Sequence, residues 1–127
     1  MELRIETNAQ ILWLGDDGIL RADYKPRAEL ELADAQEIIR RLTAVSGGIR
    51  RPILVDLTGL KSISRDARNH FAGPETAAVQ CAVALLVRSP MAKAIGNFFL
   101  GLNMSLVPTR LVTSKLPALE WLRQYVP

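Results

Sequence analysis

The sequence predicts an α/β domain: a mixed, mostly parallel sheet with an antiparallel hairpin at its N-terminus and about four helices, in one unit spanning residues 1–127. Three observations point there. Two apolar runs, Ile53 to Leu57 and Ala82 to Val87, lack the polar alternation of a strand wetted on one face, so both belong in a sheet covered on two sides. Segments with helical spacing alternate with these runs, an order that implies right-handed crossovers between parallel strands. Near the start, Gly15-Asp16-Asp17-Gly18 separates two further apolar runs and supplies the Asp-Gly chemistry of a tight turn.

The elements follow in order. Ile11 to Leu14 and Ile19 to Tyr24 form the opening hairpin. From Ala33 to Val45 the apolar positions Ala35, Ile38, Ile39, Leu42 and Val45 recur at helical spacing, and Ser46-Gly47-Gly48 supplies the stop. Arg50-Arg51-Pro52 leads into the strand Ile53 to Leu57. A short helix runs from about Arg65 to Phe71 and is broken by Gly73-Pro74. After the strand Ala82 to Val87, a helix starts at Ser89-Pro90 and reaches about Leu102. Thr109 to Thr113 is a last strand and Ser114 to Tyr125 a last helix.

The segment from Ile53 to Ala67 is the most informative, because a buried strand ends abruptly in polar residues that open a helix. Sites at the carboxyl edge of α/β sheets are built that way. The segment resembles the signature of the STAS (anti-sigma-factor antagonist) superfamily, in which a Val-Asp-Leu-Ser-Gly-type strand end leads into Asp-Ser-Ser-Gly. Asp56, Leu57, Gly59, Leu60 and Ile63 match, and Thr58 is a near match. Ser64 stands where that family has Asp, and Arg65 where it has the serine that is phosphorylated. The order of elements is similar to the STAS fold over nearly the whole chain. Within the superfamily the chain looks most like the SpoIIAA-like, or STAS/SEC14-type, bacterial proteins of undefined role. The resemblance implies a regulator that works by binding and lacks the usual phosphoswitch.

Composition narrows the classes. A chain of 127 residues that is 49% hydrophobic can bury a proper core without a disulfide or metal staple. Cys81, the lone cysteine, lies in an apolar run and reads as a small core residue. Met1-Glu2-Leu3-Arg4 lacks the pattern of a signal peptide, and no uncharged apolar run is long enough to span a bilayer, so a cytoplasmic protein is expected. The net charge of +3 conceals −5 over residues 1–37 and +8 over residues 38–127. The bases are scattered and not interleaved with aromatics, which argues against specific nucleic-acid binding.

Two groups of residues are candidates for function. Ser64, Ser89 and Ser114 each precede a helix at one sheet edge, where N-capping is their ordinary role. With Asp56, Thr58, Ser62 and the bases Lys61, Arg65, Arg68, Arg88, Lys93 and Lys115, they also sketch a rim that suits an anion, a nucleotide or an acidic partner surface. The second group is the wide stripe Met91, Ile95, Phe98, Phe99 and Leu102, more apolar surface than one sheet face covers. It is expected to serve a homodimer or to face a ligand, with Lys93 and Asn97 arguing against membrane insertion. The phosphate loops, nucleophile elbow and paired histidines of common enzymes are not found. His70 has a packing or surface role, and Asp56 reads as a turn brace. No catalytic residue, metal or cofactor is therefore expected. The sequence reads as a non-enzymatic regulatory or protein-interaction module; the alternative is a carrier or sensor of a small apolar or amphipathic ligand such as a lipid. An internal apolar void of roughly several hundred Å³ would favour the alternative, and a solid core the interaction module.

Overall fold

The computed structural model describes residues 3–101 and 106–127, with side chains of residues 98–101 left out. Its main sheet has the order β1-β2-β3-β5-β7-β8. The strands are β1 (Ile5–Glu6), β2 (Gln10–Leu14), β3 (Leu20–Tyr24), β5 (Arg51–Asp56), β7 (Gln80–Leu86) and β8 (Thr109–Val112). The β1–β2 and β2–β3 pairs are antiparallel, and every later pair is parallel. As expected, β5 and β7 are adjacent, parallel and central.

Side-chain alternation explains why these two strands read as unbroken apolar runs. Ile53 joins a core with Leu12, Leu20, Ala22 and Leu85, under Ile38, Ile39 and Leu42 of helix α1 (Leu32–Val45). Leu54 points the other way, into a second core with Ala82, Ala84 and Leu86, under Ala118, Trp121 and Leu122 of helix α5 (Lys115–Arg123). Both faces are dry, so neither set of alternate residues can be polar. The small Ala82 and Ala84 leave room for the indole of Trp121. Helix α4 (Pro90–Gly101) joins the first core through Ala92 and Ile95.

The hairpin turn is held by more than its glycine. Gly18 N–H donates to Gly15 O at 2.9 Å with Gly18 at φ 82°, where a side chain would be strained. Asp17 Oδ1 accepts from Ile19 N–H at 3.1 Å and from Arg21 at 2.7 Å.

The helix Arg65–Phe71, α2, has its expected bounds. The structure adds a one-turn helix α3 (Pro74–Ala77), the short strand β1, and a second sheet in which β4 (Ala28–Leu30) pairs in parallel with β6 (Leu60–Ile63). In that second sheet β3 and β5 each resume after a break. Its strands are too short and too polar to register as periodic sequence. The two breaks touch: a Cβ on Gly59 would lie 2.5 Å from Lys25 O and 2.6 Å from Tyr24 O. Rigid backbone stands there, so Gly59→Ala should destabilise the fold by about 2 kcal/mol or more, as overpacking against an unyielding wall does. Denaturant unfolding would show a lower midpoint with an unchanged slope.

Candidate functional site

The carboxyl ends of the parallel strands lie side by side, with Asp23 in register with Asp56, Asp56 with Leu86, and Leu86 with Val112. Asp56 braces the following turn as expected, its Oδ1 accepting from Thr58 N–H at 2.9 Å. Ser64 is the N-cap of α2, with Oγ accepting from Ala67 N–H at 3.2 Å, and Ser89 caps α4 by accepting from Ala92 N–H at 3.1 Å. Each cap contributes about 1 kcal/mol. Ser114 occupies the N-cap position of α5, but its side chain makes no capping bond.

The rim sketched from sequence divides in two. Lys61, Ser62, Ser64, Arg65 and Arg68 lie on β6 and α2, in and beyond the second sheet, where Lys61 Nζ is 3.9 Å from Glu29 Oε1. Asp56 remains at the edge of the main sheet with Asp23, and Arg88, Lys115 and Arg4 stand close enough to act on the Asp23 charge. Burial, followed by the neighbouring Asp56 carboxylate, raises the Asp23 carboxyl above its ordinary value, and Lys115, Arg4 and Arg88 oppose the rise. Arg4 also sits over the Trp13 ring, 3.9 Å from its centre. A carboxylate pair at the main sheet edge suits an incoming anion less well than the sequence suggests.

A cleft opens on the other side of the sheet. Its floor is made by Ala22, Tyr24, Ile53, Val55, Val83 and Leu85, and its walls by Ile38 and Leu42 of α1 and by Phe71 to Gly73, Thr76 and Ala77 around α2 and α3. Leu57, Gln80, Leu106, Val107, Thr109 and, beside Tyr24, Gln10 complete the lining among the described residues. Water-sized groups find about 80 Å³ of space, inside a hollow of about 760 Å³ that includes the open mouth. Two polar side chains lie together in the lining: Gln10 and Tyr24 are cross-strand partners, and the Gln10 amide is near enough to act on the Tyr24 phenol. Burial drives the Tyr24 phenol far above its ordinary range.

The apolar stripe of α4 is only partly accounted for. Met91 is 55% exposed, Ile95 is half-buried against the first core, and Gly96 abuts Leu111 and Val87. The side chains of Phe98 and Phe99, and Leu102 altogether, lie outside the described residues. Cys81 is half-buried, its thiol pushed up by burial. His70 packs beside Phe71, with Nε2 3.8 Å from Glu75.

Among protein families, the model of a domain of unknown function, DUF7793, matches residues 12–126. The chain belongs to that family. Among solved structures, the DUF7793 chain is similar to an uncharacterised protein of the DUF3478 family from Shewanella loihica PV-4, described as having a SpoIIAA-like fold. The two are 16% identical with a TM-score of 0.60, over 96% of this chain and 92% of that one. The fold is thus SpoIIAA-like, as the sequence resemblance implies. A protein of unknown function from Arthrobacter sp. FB24 is 40% identical over 87% of this chain and 96% of its own, with a TM-score of 0.35. No curated protein matches.

Sequence reasoning missed three residues of this DUF7793 chain, two in the cleft and one at the sheet edge. Gln10 and Tyr24 stand far from the signature segment, and only strand pairing makes them neighbours. Asp23 ends a hairpin strand, and nothing in the sequence places it beside Asp56. A raised carboxyl means that the folded state holds its proton more tightly than the unfolded chain does. Asp23 therefore costs stability above its folded pKa, and the cost disappears as pH falls below the ordinary value of 3.8. Asp23 is partly solvated, so the effect is small: Asp23→Asn should raise Tm at pH 7 by an amount worth under about 1 kcal/mol. The gain should vanish near pH 3, as thermal unfolding at the two pH values would show.

Proposed function

We propose that this protein is a non-enzymatic regulatory module that responds to a small apolar or amphipathic molecule held in the cleft between the sheet and helices α1 to α3. The cleft itself carries the reading: apolar side chains line a hollow that is open at its mouth, and a domain built solely as an interaction surface has no need of one. Space for roughly five water-sized groups limits the occupant to a small molecule, or to the end of a longer one whose remainder leaves through the mouth.

The regulatory part of the proposal rests on what else the cleft walls do. Helices α2 and α3 line the hollow and also present Arg65, Asp66 and Glu75 to solvent. A protein partner docked on these charges would sense whether the cleft is filled. Arg65 stands where the resemblance places a phosphorylatable serine, so occupancy of the cleft takes the place of phosphate as the input signal. Asp56, Ser64 and Ser89 are engaged in turn and helix-end hydrogen bonds, which supports a role in binding rather than in catalysis.

Ala77, half-buried at the end of α3, tests the cleft. Native mass spectrometry of protein purified from its own cells should show an added small mass, and Ala77→Phe should remove it with the circular dichroism spectrum unchanged. Wild-type protein that carries no added mass and takes up none of a panel of small apolar compounds would overturn the reading.

Self-association through α4 belongs to the same proposal, because Met91 is exposed while Ala92 and Gly96 are buried against the body of the domain. Wild-type protein should sediment as a dimer at tens of micromolar, a range in which weak dimers remain visible. Met91→Glu should yield a folded monomer, since a charge buried without a partner opposes association.

A further inference from the structure

Gln10, Tyr24, Thr76, Gln80 and Thr109 are the polar residues among the apolar lining of the cleft, and Gln10 stands apart from the others. Gln10 is 2% exposed, and its side-chain oxygen is shielded from solvent with no hydrogen-bond partner. Its backbone is fully used: Gln10 N–H donates to Thr7 Oγ1 at 2.9 Å, and Thr7 N–H donates to Gln10 O at 2.8 Å. Its side-chain amide lies near enough to the Tyr24 phenol, across the strand pair, to act on it. A buried carbonyl without a donor is costly, because it has lost its water and received nothing in exchange. An apolar side chain of similar shape, such as Leu, would fill this place without that cost. A glutamine here is therefore explained by a donor that arrives with a ligand.

Charge narrows the ligand further. No Asp, Glu, Lys, Arg or His is among the described residues that line the cleft. A carboxylate or ammonium group would be desolvated there with no counter-charge. Tyr24 remains neutral in its buried place and keeps a hydroxyl proton to donate. Beside it, the bare Gln10 oxygen can only accept.

We propose that the cleft selects an uncharged amphipathic molecule with a hydroxyl-type head, which donates to Gln10 and accepts from Tyr24 while its short apolar body lies over Ile53 and Val55. This rests on the binding function proposed above and specifies its ligand chemistry. The head group reaches the oxygen through a turn of the Gln10 amide toward the hollow. A free fatty acid is excluded by its charge, whereas a short alcohol or the neutral end of a larger molecule meets the requirement.

Three probes with the same number of heavy atoms in their chain, or nearly so, separate the possibilities: 1-pentanol, its isomer 1-methoxybutane, which lacks the donor, and pentanoate, which carries a charge. Titrations followed by amide chemical shifts of the cleft residues should give affinities in the order pentanol, ether, pentanoate. The alcohol should lead the ether by roughly tenfold, the equivalent of about 1.4 kcal/mol. In Gln10→Leu that lead should shrink to about one, with the ether still bound. If Gln10→Leu does not fold, Gln10→Met, which keeps the length of the side chain and removes the carbonyl oxygen, should reduce the lead in the same direction. Equal binding of alcohol and ether by the wild type, or tightest binding of pentanoate, overturns the assignment of the head group and leaves the cleft as an apolar site. Failure of all three to bind overturns the binding function as well.

Discussion

Two-sided burial of the central strands is the constraint on which the rest of this structure depends. Ile53 and Leu54 are consecutive, yet they belong to different cores. Placing α1 and α4 on one face and α5 on the other is what keeps both cores dry. Adjacent parallel strands require crossovers, and the crossover helices cover one face. The other face is covered by α5, which follows the last strand.

The same arrangement makes the cleft. On the face packed by α1, the short α2 and α3 follow β6, so they stand out from the sheet and leave space above Ile53, Val55 and Leu85. The position of β6 depends in turn on Gly59, whose missing side chain lets two backbone segments touch. A residue that matches a family signature in sequence thus has a steric job in this fold, one that does not depend on whether phosphate is ever added nearby.

Polar groups divide by the same logic. Asp56, Ser64, Ser89 and Asp17 all satisfy local backbone N–H groups, and their chemistry is consumed in building turns and helix ends. Gln10 and Tyr24 are different, because they lie within the sheet, where neither caps anything. In this DUF7793 protein with its SpoIIAA-like fold, the groups with chemistry to spare are found away from the strand-end signature that gives the family resemblance.

The sequence alone determined the hairpin, the doubly buried strands, the bounds of α2 and two of the three capping serines, Ser64 and Ser89. Each of these is a local pattern: turn chemistry at Asp17-Gly18, apolar continuity at 53–57, and a serine three residues before the amide it accepts. The sequence also assigned Asp56 its bracing role, since an Asx turn spans only two residues. It did not reveal the second sheet, whose short strands pair Ala28 with Leu60 across a long stretch of chain. Nor did it reveal the Asp23–Asp56 contact or the Gln10–Tyr24 pair inside the cleft. These were decided by tertiary structure, because register between strands is set by how whole apolar faces fit together. A polar residue's neighbours across a strand are written in no local pattern of its own.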